Sequence, residues 1–311
     1  MQFVSNLLVC AIALATYTSA VRIGSFNLHQ YGSKKAANAD LTNTVAQIIS
    51  DFDLAIIQEI SDVSLRAPYV LFEELNKVSQ EPYTMTLSPR VGRSATKEQY
   101  IFFNRESQSG VEIVESYIYD DIKDLFERPP FIGTFKVKNP GKSGVKLFTI
   151  MDVHLRPSAA YRELLDMRTV IEDFIQIHPQ YFDQTPTSLQ EALDQNVENA
   201  TAGNKPSLKT NHPILIVGDF NADCSYISTK RQQLLRTIDY VDFTWAINNE
   251  VKTNTRQTCT YDRILINGAN FANAIVPKSN TTVNIQEKYG MTLQEALDVS
   301  DHIPIKFDIE W

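Results

Sequence analysis

After residue 20 the chain is a series of short apolar runs, most of them closing on polar residues. The run 21–27 reads as a strand, and 40–50 carries Leu41, Val45, Ile48 and Ile49 at helical spacing. Residues 54–60 are continuously apolar until Gln58-Glu59, the pattern of a strand buried on both faces, and 64–78 is again helical. Strands follow at 83–87, 99–104, 111–119, 131–137 and 147–154, too close together for helices between them. A long amphipathic helix is predicted over 158–177, a buried strand over 213–221 and a helix over 229–238. Strands at 243–247, 262–267 and 303–310, with a short helix at 292–297, complete the chain. Strands and helices mixed without a strict βαβ rhythm predict an α/β (α+β) fold: two packed mixed β-sheets flanked by helices, a four-layer α/β-β/α sandwich. Residues 178–211 are polar and rich in Asn, Gln and Thr, so a surface insertion is expected there and 21–311 reads as a single domain.

The first twenty residues break this pattern. Residues 3–15 are mostly apolar and Thr18-Ser19-Ala20 offers the small residues of a cleavage site, so 1–20 reads as a secretory signal, although no Lys or Arg precedes the apolar run. No later stretch reaches the roughly 18 apolar residues of a membrane span, so no membrane anchor is expected. Removing the signal removes Cys10 and leaves Cys224 and Cys259. In an oxidising compartment these are candidates for one disulfide, with two buried thiols as the alternative. Such a bridge closes about 35 residues and is worth roughly 3–4 kcal/mol by chain entropy. Sequons at Asn199 and Asn280 lie in polar surroundings that suit surface glycosylation.

With 43% hydrophobic residues among 311, the chain can build a substantial core. Its net charge of −8 argues against a protein that holds nucleic acid by electrostatic attraction alone. An enzyme that gathers metal cations in a carboxylate cluster escapes that objection, because the ions offset the local field.

Six strand ends carry polar residues: Ser25-Phe26-Asn27, Gln58-Glu59, Asp152-Val153-His154, Gly218-Asp219-Phe220-Asn221, Tyr261-Asp262-Arg263 and Ser300-Asp301-His302. One Asp after a strand is usually a turn former; six such ends together suggest a site. Oxygen donors of Asp, Glu and Asn suit magnesium, manganese or calcium, not zinc. Two histidines, each beside a carboxylate, suit acid–base chemistry near neutral pH. Metal and imidazole together point to phosphodiester hydrolysis. His29, His178 and His212 match nothing catalytic and read as surface or structural residues.

These residues resemble the endonuclease/exonuclease/phosphatase superfamily, and within it the deoxyribonuclease I family. The run Gly218-Asp219-Phe220-Asn221-Ala222-Asp223-Cys224-Ser225-Tyr226 matches the family motif. Gln58-Glu59, Lys97-Glu98 with Tyr100, Cys259-Thr260-Tyr261-Asp262-Arg263-Ile264 and Ser300-Asp301-His302 follow in family order. The resemblance implies that His154 and His302 flank the scissile phosphate, with Glu98 orienting His154 and Asp262 orienting His302. It implies a catalytic Mg2+ (or Mn2+) held by Glu59, Asn27, Asp219 and Asp301, with Asn221 and Arg128 on phosphate and Tyr226 touching DNA. It also implies a monomer that cuts double-stranded DNA to 5′-phosphate and 3′-hydroxyl ends, outside the cell.

The departures concern grip on DNA. The family's groove-entering arginine, two residues after the strand-end glutamate, is Ser61 here, and a tyrosine that stacks on sugar is Thr96. Arg90 and Arg93 are the nearby candidates to replace them. Asp121 and Asp124 are the recognisable remnants of calcium loops, so Ca2+ is an open addition, and actin binding is left undetermined. Two other readings compete: a phosphodiesterase of the same superfamily acting on sphingomyelin or inositol phosphates, and a non-catalytic binding protein on the same scaffold.

Overall fold

The structure is a computed structural model that describes residues 20–93, 97–182 and 212–311. The expected signal before Ala20, Thr96, the Asn199 sequon and insertion residues 183–211 lie outside the described residues. Among the described residues, no helix is long and apolar enough to cross a membrane.

In the first half, β1 (Val21–Tyr31), α1 (Ser33–Ala36), α2 (Ala39–Ile49), β2 (Leu54–Ile60), α3 (Ala67–Val78), β3 (Thr84–Leu87) and β4 (Gln99–Asn104) follow in order. Next come α4 (Glu106–Ser109), β5 (Val111–Ile118), β6 (Phe131–Val137), β7 (Leu147–His154), α5 (Ala160–Ile177) and β8 (Ile214–Asp219). The chain continues through α6 (Thr229–Leu234), β9 (Thr244–Trp245), β10 (Asp262–Asn267) and α7 (Ala269–Ala274). It finishes with β11 (Thr281–Thr282), α8 (Ile285–Tyr289), α9 (Leu293–Val299) and β12 (Ile305–Ile309). They form two six-stranded sheets, ordered β11-β12-β1-β2-β4-β3 and β5-β6-β7-β8-β10-β9. Each has one parallel pair at its centre, β1 with β2 and β7 with β8, and the remaining pairs are antiparallel.

Strand alternation decides what faces what. Ile23, Leu54, Ile56, Tyr100 and Phe102 of the first sheet meet Phe131, Phe135, Phe148, Ile150, Leu215 and Val217 of the second in the central core. The ring of Phe102 stacks on Phe131 at 4.8 Å. Gly133 makes room for it, since a Cβ there would lie 2.5 Å from that ring. The other face of the first sheet packs Ile57, Ile101 and Phe103 against Val45, Ile48, Ile49, Leu71 and Leu75 of α2 and α3. Met151, Val153, Ile214 and Ile216 of the second sheet pack against Leu164, Met167, Val170 and Ile171 of α5. The four layers expected from the sequence are therefore present.

Some bounds differ from expectation. The helix over 64–78 starts at Ala67, because buried Asp62 accepts the amides of Ser64, Arg66 and Ala67 and turns 62–66 into a cap. The helix over 229–238 stops at Leu234 and gives way to a wider turn, Leu235–Asp239. The strand over 243–247 shrinks to two paired residues. His178 and His212 are not surface residues; both are buried, in an aromatic stack with Phe174 and Tyr181.

Candidate active site

Parallel strands end together, and an antiparallel neighbour begins where they end. Asn27, Glu59, His154 and Asp219 sit at or near the carboxyl ends of β1, β2, β7 and β8. Asp262 opens β10 and pairs directly with Asp219, while Glu98 lies just before β4 and His302 just before β12. Residues spread over most of the chain thereby converge on one end of the sandwich, the position at which α/β sheets leave a crevice.

Two matching pairs form there. His154 Nδ1 lies 2.7 Å from Glu98 Oε2, and His302 Nδ1 lies 2.8 Å from Asp262 Oδ2. With Nδ1–H given to its carboxylate, each ring turns Nε2 inward, where Asp219 Oδ2 is 3.6 Å from His154 and 3.5 Å from His302. Burial alone would lower both imidazole pKa values. Glu98 outweighs it and raises that of His154; Asp262 and Asp219 raise that of His302 well above its ordinary value. Burial pushes the Asp219 carboxyl above its usual range despite both imidazoles.

Glu59 reaches the cluster through a backbone irregularity. The register of β2 slips between Ile57 and Ile60, and Glu59 has φ of 61°. One extra residue in the strand lets Ile57 and Ile60 both pack toward the helices while Gln58 and Glu59 turn to the space between the sheets. A left-handed non-glycine residue costs about 1–3 kcal/mol, which surrounding bonds must offset. Asn27 Nδ2 donates to Glu59 Oε1 at 2.8 Å, and the Gln30 amide donates to Glu59 Oε2 at 2.9 Å.

The ligand atoms of Glu59, His154 and Asp219 lie within 4.8 Å of one another, as do those of Asp219, Asp262 and His302. Glu59, Asp219 and Asp262 are buried, and among the described residues none of them forms an ion pair with lysine or arginine. Buried carboxylates of this kind, ion-paired with imidazole and held by amide donors, fit a divalent cation. Asn27 turns its amide nitrogen to Glu59 and Asp219 and its oxygen to the His29 amide, so it ligates a cation only after the amide turns over. Asp301 stands at the rim, half-exposed, 3.8 Å from His302 Nε2 and 3.5 Å from His29 Nδ1.

The other expected site residues divide. Asn221, left-handed and buried, donates its side-chain amide to Leu155 O at 2.9 Å and Asp219 Oδ2 at 3.3 Å. Arg128 is turned inward, its Nε 2.9 Å from His154 O and its Nη1 3.3 Å from Glu98 Oε1. In this position it braces the Glu98–His154 pair. Glu163 of α5 fixes the flanking loops by accepting the amides of Glu127 and Arg156. Tyr226 is exposed and its ring lies 5.4 Å from Tyr261, which in turn neighbours His302 at 6.1 Å. Arg93 is away from this cluster in an exposed pair with Asp124, which puts a guanidinium on one of the two calcium candidates. The other, Asp121, accepts the amides of Leu125 and Phe126.

Cys224 and Cys259 form a disulfide with Cα atoms 5.8 Å apart, joining the loop after β8 to the approach of β10. Asn280 donates its side-chain amide to Ala246 O at 2.5 Å, so the nitrogen that would carry a glycan is engaged within the fold. Sequence reasoning missed His29 as a neighbour of the site, and named Tyr100, Tyr261 and Asp152 only as parts of its motifs, without a role. The Tyr100 hydroxyl accepts the His154 amide at 3.2 Å. His29 had one signal, its place two residues after Asn27.

Comparison with known proteins gives the same picture. The model of the endonuclease/exonuclease/phosphatase family matches residues 24–302. The chain is 31% identical to deoxyribonuclease-1 of Sus scrofa, over 97% of this chain and 96% of that one. It is 29% identical to human deoxyribonuclease-1-like 2, over 96% and 94%. A solved endonuclease/exonuclease/phosphatase family protein from Leptotrichia buccalis superposes with a TM-score of 0.56 at 13% identity, covering 94% of this chain and all of that one. The chain belongs to the endonuclease/exonuclease/phosphatase family and, within it, to the deoxyribonuclease I family.

Proposed function

We propose that this protein is a secreted, divalent-metal-dependent endonuclease that hydrolyses phosphodiester bonds of double-stranded DNA to 5′-phosphate and 3′-hydroxyl ends. The observation that carries the reading is the pair of carboxylate-anchored imidazoles whose Nε2 atoms flank Asp219. One imidazole protonates the leaving 3′ oxygen, and the other takes a proton from the attacking water. Glu98 and Asp262 hold the two tautomers. Asn221, exchanging its long bond to Asp219, donates to a phosphate oxygen, and Tyr226 contacts the DNA beside it.

Glu59, Asp219 and Asn27, with Asp301 from the rim, are the residues that would hold Mg2+ or Mn2+, which supplies charge stabilisation to the phosphoryl group when bound. Secretion is supported by the Cys224–Cys259 disulfide, a bond of oxidising compartments, and by the apolar N-terminal segment. Kinship with proteins named deoxyribonuclease supports DNA as substrate.

The test is nicking of supercoiled plasmid with Mg2+ or Mn2+ and with a chelator, beside release of phosphocholine from sphingomyelin. Plasmid nicking that needs metal, and falls about 10²–10⁴-fold when His154 or His302 becomes Ala, is the expected result. Full activity in the His154→Ala/His302→Ala double variant, or phosphocholine release in place of nicking, would refute the reading.

A further inference from the structure

Directly beneath the catalytic ring, between the two sheets, lies a second polar layer that the proposed chemistry does not use. Ser25, Gln58 and Asp152 are 2% exposed or less. Gln58 Nε2 donates to Asp152 Oδ1 at 2.6 Å and to Ser25 Oγ at 3.0 Å. Among the described residues, Asp152 Oδ2 has no hydrogen-bond partner. The layer is tied to the ring by sequence: Ser25 is two residues before Asn27, Gln58 one before Glu59, and Asp152 two before His154 on the same face of β7. The Gln58–Asp152 bond crosses from one sheet to the other at the bulge that turns Glu59 inward.

We propose that Asp152 is a positioning residue for the metal site: through Gln58 it holds the β2 bulge in the one setting that presents Glu59 to the cation. This rests on the metal-site reading above. Packing of Ile57 and Ile60 against the helices sends Gln58 and Glu59 inward, but it does not set the direction in which the inward side chains point. A short, directional bond from Gln58 to a fixed acceptor does. Filling the same space with two apolar side chains would make packing no worse, since a buried polar pair adds little net stability. What such a pair retains is a unique arrangement. Burial drives the Asp152 carboxyl well above its usual range, against the Gln58 and Val153 amides. Asn keeps the oxygen that accepts from Gln58.

The experiment measures Mn2+ binding by calorimetry on the mature protein without DNA, beside thermal melting. The chains compared are wild type, Asp152→Asn, Gln58→Met and the apolar pair Gln58→Leu/Asp152→Leu. The expected result is wild-type affinity in Asp152→Asn and a Kd raised at least fivefold in the apolar pair, with a melting midpoint near wild type. Gln58→Met keeps the side-chain length, loses only the amide, and should show the same rise; it decides the matter if the apolar pair does not fold. An unchanged Kd in the Gln58 variants, with or without a lower midpoint, would make the layer a core feature only and overturn the proposal. Failure of the wild type to bind Mn2+ would instead remove the metal-site reading on which it stands.

Discussion

At Glu98 three side chains meet, and each depends on the others. The carboxylate accepts from His154 Nδ1 through one oxygen and from Arg128 through the second. Arg128 also holds the carbonyl of His154 itself, so ring and backbone are fixed by one guanidinium. Glu98→Gln keeps the shape and removes the charge. The imidazole then loses the neighbour that raises its pKa against burial, so its pKa falls. The expected outcome is a kcat lower by about 10–100-fold with KM nearly unchanged, and a pH–rate limb of His154 displaced to lower pH. Steady-state plasmid nicking across pH measures both. A change confined to KM would mean that Glu98 acts on substrate binding and not on the imidazole.

The turn between β2 and α3 shows how a single acid shapes an element. The carboxylate of Asp62 accepts the amides of Ser64, Arg66 and Ala67 and the hydroxyl of Ser64. Burial pushes its pKa up, but these donors outweigh it and hold the carboxyl at about 2. Asp62→Ala removes the acceptor of three amides, of which that of Ala67 is buried and left unmet, and about 1–3 kcal/mol of stability should go with it, read from urea unfolding. A loss below ~0.5 kcal/mol would show that the α3 N-terminus does not depend on this cap. The same turn explains one limit of sequence reading. Apolar periodicity over 64–78 was visible, yet the helix begins where a side chain ends the turn, and period alone carries no such information. Strands β2, β4, β6, β7 and β10 fall at their expected bounds because each is a largely buried run, interrupted in β6 by exposed Lys136. Helices α1, α4, α7 and α8 span four to six residues, too short to display a period. Caps define several of them instead, such as the Asn284 side chain before α8 and left-handed Gly110 after α4. In the site, acids and histidines at strand ends were legible as residue types. The Gln58–Asp152 bond was not, because it requires the bulge at Glu59; nor was the inward turn of Arg128 or the pairing of Arg93 with Asp124.

The fold as a whole brings like charges together and leaves them short of cations. Two sheets, each with a central parallel pair, aim Glu59, Asp219 and Asp262 at one buried volume in a protein of net charge −8. Without metal, that volume is compensated by protons. His302 has a pKa raised well above its ordinary value, chiefly because Asp262 and Asp219 outweigh burial, and His154 is raised by Glu98. For a histidine raised on folding, the stabilisation is complete below the unfolded pKa of about 6.5 and is lost as pH climbs through the folded value. Asp219, raised by burial, has the same sign: the folded state holds a proton that the unfolded chain has released, so stability again falls as pH rises. The metal-free protein should therefore lose melting temperature steadily above about pH 6.5. A divalent cation does the protons' work without them, so its affinity should increase over the same range. At a concentration of about 100 times Kd it adds roughly 2.7 kcal/mol. Mg2+ or Mn2+ should accordingly raise the melting temperature more at pH 8 than at pH 6, and EDTA should abolish the gain. Asp219→Asn removes the charge at the centre: the metal-free variant should melt higher than wild type at pH 8, ignore Mg2+, and nick no plasmid. Melting curves at the two pH values, with and without metal, decide it, and a wild-type response to Mg2+ that is equal at pH 6 and pH 8 would mean that protons and cation do not compete for this site.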